Sequence, residues 1–305
     1  MSIMKNVLCG AACAFALFSA LPAAAEDATP ASSTAESAPP ARPALWKVAD
    51  DDTTIWLFGT IHILPENVAW YAGPIAKAFD ASSELVTEIP IDKTQDSQAA
   101  IIQQSLREDG KALRDTLDEK ERAAYEAGMG SLGLPPQAFD RNDTWFAALM
   151  LTLIPLKTSG YNLESGIDTQ IGAMAKARQM PNEALESPEY QISLFDNLPQ
   201  ETQRRYLDEV LDALPTVKSD IGAIVTAWKA GKADKLAHLL NEEEDDPDLR
   251  KVLLTDRNAH WAKWIETRLK KPGTVFIAVG AGHLAGEGSV QDQLARDGIS
   301  SERVQ

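Results

Sequence analysis

The chain carries four histidines, His62, His238, His260 and His283, and two of them stand in the same local setting. Ile55-Trp56-Leu57-Phe58-Gly59-Thr60-Ile61-His62 and Phe276-Ile277-Ala278-Val279-Gly280-Ala281-Gly282-His283 each run from an apolar stretch through glycine to a histidine three positions on. Imidazole titrates near neutral pH and also ligates metals, so this matched pair is a candidate site. A single histidine after a strand is more often a satisfied, half-buried residue; it is the pairing that points to chemistry. Glu88, closing the run Leu85-Val86-Thr87-Glu88-Ile89, adds a carboxylate. Two histidines and a glutamate can hold Zn²⁺, Mn²⁺ or Co²⁺ and leave a position for water. The ion would lower the pKa of that water and polarise a carbonyl, which is metal-assisted hydrolysis. Without a metal, the same residues supply a histidine general base oriented by Glu88. Gly59 and Gly280, lacking a Cβ, would let backbone approach a substrate closely.

These side chains meet only if the fold brings them together. Thr53 to Phe58 is β-branched and aromatic and predicts a buried strand, and Leu85 to Ile89 predicts a second. A helix near 74–81 lies between them, which makes a βαβ unit with parallel strands. Thr274 to Val279 predicts a late strand, 289–296 a helix, and 299–304 a last strand. The stretch from about 97 to 270 reads as a helical insertion, with a short strand near Glu183 to Leu185. Within it, Trp145 to Leu156 is too short an apolar run to span a bilayer and predicts a buried helix. The expected fold is therefore α/β, a mixed, largely parallel central sheet flanked by helices. In such sheets ligands bind beyond the carboxyl ends of the strands, where His62, Glu88 and His283 would all lie.

Lys5, the apolar run Val7 to Leu21 and Ala23-Ala24-Ala25 have the form of a cleavable export signal over residues 1–25. A lipid anchor through Cys13 is the weaker reading, because Gly10 stands where such signals carry a bulky aliphatic residue. Residues 26–43, rich in Ala, Pro, Ser and Thr, read as a disordered tether, and 44–305 as the folded domain. Both cysteines, Cys9 and Cys13, fall in the leader, which leaves the domain without a disulfide, thiol nucleophile or thiolate ligand. The chain has 45 acidic and 29 basic residues, and the leader removes only a lysine. That balance argues against nucleic acid or an anionic membrane as partner. The expectation is a periplasmic or secreted protein with a peptide or small-molecule substrate and no membrane span once the leader is cut.

Several motifs resemble those of the TraB/GumN family. Leu57-Phe-Gly-Thr-Ile-His62-Ile-Leu-Pro resembles its G-T-x-H-x-L opening, and Val279-Gly-Ala-Gly-His283-Leu-x-Gly286 its G-x-G-H-L-x-G close. Between them, Glu88, Ser165-Gly-Ile-Asp168, Leu185-Glu186-Ser and Arg257-Asn258 match the family's internal motifs in order. The family is related to the Tiki membrane proteases and more distantly to erythromycin esterases and ChaN haem-binding proteins. The resemblance implies a metal-dependent, peptidase-like hydrolase with His62, Glu88 and His283 as functional positions and Glu186 as a further ligand. A haem binder among the relatives keeps a second reading open, a binding module that captures a peptide signal or haem without turnover. The bland readings stand beside these. Ser165-x-x-Asp168 has the form of a helix capping box, Glu186 is a charge at a strand end, and Arg257 either grips a substrate carboxylate or lies on a solvated helix face. His238 and Glu242, one helical turn apart, read as a solvated face.

Overall fold

A computed structural model describes residues 40–91, 101–157, 160–161, 165–242 and 246–305. The expected leader and all but the last residues of the tether lie outside them. Ala41 N–H donates to Ala69 O at 2.7 Å and Arg42 N–H to Lys229 O at 2.8 Å, so the chain is tied to the fold just ahead of Ala44.

Six strands form one sheet in the order β4-β3-β5-β2-β1-β6. They are β1 (Leu45–Ala49), β2 (Thr53–Thr60), β3 (Glu84–Thr87), β4 (Asn182–Ala184), β5 (Gly273–Gly280) and β6 (Glu302–Arg303). Strands β2, β5, β3 and β4 run parallel, while β1 is antiparallel to both of its neighbours. The sheet is thus mixed and mostly parallel, as expected. Strands β2 and β3 do share one direction, but β5 is hydrogen-bonded between them. The late strand therefore completes the middle of the early βαβ unit. Strand β1 is the element that the sequence does not announce, since Lys47 breaks its short apolar run. It is joined to β2 by Asp50-Asp51-Asp52, where the Asp50 carboxylate accepts the N–H of Thr53 at 2.8 Å and closes the turn.

Among the described residues eleven α-helices surround this sheet. Helix α1 (Gly73–Ala81) lies between β2 and β3, and α2 (Glu119–Ser131), α3 (Thr144–Lys157) and α4 (Ile167–Ala177) between β3 and β4. Six follow β4: α5 (Pro188–Asp196), α6 (Gln200–Ala213), α7 (Val217–Lys229), α8 (Ala233–Ala237), α9 (Pro247–Arg250) and α10 (Asp256–Arg268). Helix α11 (Val290–Arg296) comes after β5. A π turn at His238–Glu242 extends α8, and a second, at Lys251–Thr255, joins α9 to α10. No helix among the described residues is long and apolar enough to cross a membrane. Trp145 to Leu156 is instead the buried helix α3, packed in the larger core.

Alternation along the central strands divides the core. Ile55 and Leu57 of β2, with Val275, Ile277 and Val279 of β5, pack on one face against Trp261 and Ile265 of α10 and Leu294 of α11. Phe58 and Phe276 point to the other face and join Trp70, Phe79 and Trp228, with ring centroids 5.6 Å apart for Phe58 and Phe276. Both faces are covered, which is why β2 and β5 read as continuous apolar runs.

Candidate functional site

The site lies at the carboxyl ends of the parallel strands. His62 follows β2, Glu88 follows β3, and His283 sits in the 3₁₀ turn Ala281–Leu284 after β5. All three are removed from solvent, at 5 %, 2 % and 0 % exposure. Paired in parallel register, Thr60 lies opposite Gly280, so the two G-x-x-H turns are neighbours offset by one residue.

His62 is held by Asp168. Its Nδ1–H donates to Asp168 Oδ2 at 2.7 Å, and Thr60 Oγ1 donates to Asp168 Oδ1, also at 2.7 Å. Ile167 N–H donates to Ile61 O at 3.0 Å and pins the start of α4 to the histidine loop. The N-cap of α4 is Gly166, with no side-chain cap, so Ser165 and Asp168 form no capping box. The carboxylate is turned toward the histidine instead. Burial by itself would lower the His62 pKa, but the charge and hydrogen bond of Asp168, helped by Glu88, hold it above its ordinary value. Burial pushes the Asp168 carboxyl up, and His62 and Thr60 more than offset this, leaving it below its usual range.

Next to this pair stands a guanidinium enclosed by acids. Arg257 Nη2 donates to Glu88 Oε2 and to Glu186 Oε2, each at 2.8 Å, and Nε donates to Glu186 Oε1 at 2.9 Å. Nη1 donates to Leu253 O at 3.1 Å and to His283 Nε2 at 3.1 Å. His283 is therefore an acceptor at Nε2, and its proton sits on Nδ1, which donates to Asn258 Oδ1 at 2.6 Å. Asn258 is oriented by its amide N–H, 2.8 Å from Gly288 O. The carboxylates have further donors: Gly280 N–H to Glu88 Oε1 at 2.8 Å, Trp261 Nε1 to Glu186 Oε1 at 2.9 Å, and Gln191 Nε2 to both. Burial raises the Glu88 pKa against the pull of Arg257 and His62. Burial opposes the charge of Arg257, but Glu186 and Glu88 keep it firmly protonated.

A profile of the TraB/PrgY/gumN family matches residues 44–303. The chain belongs to that family. The uncharacterized protein YbaP of Escherichia coli (strain K12) is 26% identical over 239 residues, which cover 78% of this chain and 86% of YbaP. YbaP of Shigella flexneri is equally similar over the same span. No solved structure gives a significant match.

Among the residues singled out from sequence, this family member brings His62, Glu88, Glu186, Arg257 and His283 into one neighbourhood. His238 and His260 lie exposed on helical turns elsewhere. Three assignments change. Arg257 does not reach out to a substrate carboxylate: its side chain is 1% exposed and its N–H groups are spent on Glu88, Glu186, His283 and Leu253. Gly59 does not face a ligand either. A Cβ there would stand 3.1 Å from Ala281 Cα, so the missing side chain lets the two G-x-x-H turns pack together. The backbone N–H of Gly280 is taken by Glu88.

The donor set of Glu88, Glu186 and His283 does not fit a divalent ion while Arg257 stands among them. The lone pairs an ion would need are already accepting from the guanidinium. A dication about 4 Å from it would be repelled by about 8 kcal/mol at an effective dielectric constant of ~20. Among the described residues no group of three or more acidic, histidine or cysteine side chains is arranged to hold a metal.

Sequence reasoning set aside or passed over Asp168, Asn258, Gln191 and Trp261. Signals for the first two were present in the S-G-x-D and R-N motifs that resemble the family. Gln191 and Trp261 carried none, because each matters only through a partner far away in sequence, 103 residues for Gln191 and Glu88.

Proposed function

We propose that this family member is a hydrolase of amide or ester bonds in a peptide or small-molecule substrate, acting outside the cytoplasm, with His62 as general base. The observation that carries the reading is the buried His62, paired with the half-buried Asp168, beside Glu88 at the carboxyl end of the sheet. Asp168 fixes the ring by accepting the Nδ1–H hydrogen bond and, staying ionised, stabilises the imidazolium that forms when Nε2 accepts a proton from water. The resulting hydroxide attacks the carbonyl carbon. The proton on His62 then passes to the leaving nitrogen or oxygen as the bond to the acyl carbon breaks. Glu88 and Arg257 provide a fixed electrostatic surround for His62, and neither is consumed.

The divalent ion expected from the sequence is set aside in this reading, because Arg257 already occupies the donors. Export rests on the leader-like sequence of residues 1–25 alone. The test is a panel of peptide and ester substrates incubated with purified protein, with and without chelator. Turnover should survive chelation and fall at least ~100-fold in His62→Ala, as expected for loss of a general base. His238→Ala and His260→Ala are the controls and should match wild type. Peptide captured but never cleaved would favour the binding module, and turnover that needs added Zn²⁺ would return the metal to the mechanism.

A further inference from the structure

Away from the strand ends, a cavity of about 640 Å³ opens among the helices, a size within the range of small-molecule sites. Its described lining comes from residues 103–109, the residue ahead of α3, the end of α5 and the start of α6, and none of the strand-end residues described above takes part. Helix α5 reaches both places, since Gln191 donates to Glu88 and Glu186 while Asp196, its last residue, lines the cavity. The backbone sets two opposite charges side by side here. Arg107 N–H donates to Arg141 O at 2.9 Å and Asp143 N–H to Ser105 O at 2.8 Å, around an antiparallel bridge of Leu106 and Asn142. Alternation then puts Arg107 and Asp143 on one face of that bridge. The Arg107 side chain is 6% exposed. Its Nε donates to Asp109 Oδ1 and Lys111 O, each at 3.1 Å, and its Nη2 to Asp109 Oδ2. Its Nη1 is buried with no hydrogen-bond partner. Asp143 Oδ1 stands 3.6 Å from Nη1, beyond hydrogen-bonding reach. The Asp143 carboxylate accepts from no described residue. Burial pushes its pKa up against the pull of Arg107, and the charges of Asp196, Asp109 and Glu108 push the same way. Asp196 holds only neutral donors, Gln104 Nε2 at 2.9 Å and Trp145 Nε1 at 3.1 Å.

We infer that this cavity binds a basic α-amino acid, with its carboxylate on Arg107, its α-ammonium on Asp143 and its side-chain cation toward Asp196. An α-amino acid carries a carboxylate and an ammonium on one carbon, which suits a guanidinium and a carboxylate that stand 3.6 Å apart. A buried N–H without a partner is costly, and a ligand carboxylate supplies the missing acceptor in a charge-assisted bond. Charge then selects among amino acids. Four acids, Glu108, Asp109, Asp143 and Asp196, line the cavity against two arginines, Arg107 and Arg204. A neutral amino acid leaves that acidic excess in place, an acidic one adds to it, and a basic one reduces it. Leu106 is the one apolar side chain in the described lining, so an apolar ligand finds little surface to bury. The inference concerns a second binding site, and it does not depend on the reaction proposed for His62.

The experiment is calorimetric titration of the purified protein with L-lysine, Nα-acetyl-L-lysine, L-lysinamide and L-glutamate, with Tm recorded in each. L-Lysine should bind at about one molecule per chain and raise Tm as its concentration passes Kd. Blocking its α-amine or its carboxylate should each weaken binding about 10–100-fold, the worth of one hydrogen bond to a charged group. L-Glutamate should bind more weakly than L-lysine. Asp143→Asn should lose as much affinity for L-lysine as the blocked amine does. That variant should fold normally, because it keeps the side chain's size and the carboxylate holds no hydrogen bond to lose. Arg107→Gln should weaken L-lysine as well. Arg107 also holds the loop through Asp109 and Lys111, so Asp143→Asn decides the matter if Arg107→Gln melts early. A wild type that binds none of the four compounds overturns the inference. So does L-lysine binding that survives Asp143→Asn, blocked lysines that bind as well as the free one, or L-glutamate that binds more tightly. Binding is read without turnover, so failure here leaves the hydrolase reading untouched, and the reverse holds too.

Discussion

The two G-x-x-H turns invite direct comparison, since they lie side by side on paired strands and begin from the same residue pattern. At His62 the Nδ1 proton goes to a carboxylate, Asp168, whose side chain is 26% exposed. At His283 it goes to a neutral amide oxygen, Asn258, in a fully buried setting, and Nε2 is met by the Arg257 guanidinium. An acid partner favours the charged ring and raises its pKa; an amide and a facing cation favour the neutral one. One histidine is thereby kept titratable and basic. The other is held neutral as a strut between α10 and the sheet, its ring centroid 4.2 Å from that of Trp261. The difference teaches that a motif places a side chain, while its hydrogen-bond partner assigns the role.

The largest expected effect is on turnover. His62→Ala should lower kcat by about 10²–10⁴-fold while costing only about 1 kcal/mol of stability, because Asp168 can rehydrate. Equal loss of turnover in a well-folded His283→Ala would break the comparison. Arg257→Ala in metal-free buffer should cost about 3–5 kcal/mol in urea unfolding, the usual result of stranding one side of a buried ion pair. A cost under about 1 kcal/mol, the worth of a surface pair, would show that the cluster does not hold this end of the fold. His283→Ala should cost about 2 kcal/mol or more, since it leaves the Asn258 oxygen and an Arg257 N–H buried without their partner. The unfolding free energies of His62→Ala and His283→Ala, measured together, sharpen the contrast.

The smallest effect is a pH dependence. The folded pKa of His62 is raised above 6.5, so its contribution to stability is complete below about pH 6.5 and is lost as pH rises through the folded value. That of Asp168 is lowered from 3.8, so its contribution is present above that value and lost as pH falls through the folded pKa. Between these limits the pair is at its strongest. Wild type should therefore lose more stability between pH 6 and 8 than Asp168→Asn, in which the His62 pKa falls back. The acid limb of the rate profile, which follows neutral His62, should move to lower pH in the same variant. No change in either would place the titrating group elsewhere.

Local pattern made much of this molecule legible. Strands β2 and β5 are apolar because both of their faces are covered, and α1 and α3 show their apolar content over a single stretch of chain. The placement of His62, Glu88 and His283 just past strand ends follows from those runs, and the motifs resembling the family pointed to the same residues. Strand β1 was not legible, since five residues interrupted by a lysine carry little signal until β2 pairs with them. Nor was the position of β5 between β2 and β3, because strand order is set by contacts between distant segments. Ser165-x-x-Asp168 imitated a helix cap, yet Asp168 faces a histidine 106 residues away. Arg257 resembled a residue on a solvated helix face, and became buried only because Glu88, 169 residues earlier, and Glu186 close over it. The sequence by itself determined most of the segments that are strands and helices, β1 excepted, and which side chains stand at the ends of β2, β3 and β5, since backbone propensity and apolar periodicity act over a few residues. Only the tertiary structure decided which acid, amide or cation each histidine meets, because charges and hydrogen bonds act across a few ångströms of space whatever length of chain lies between.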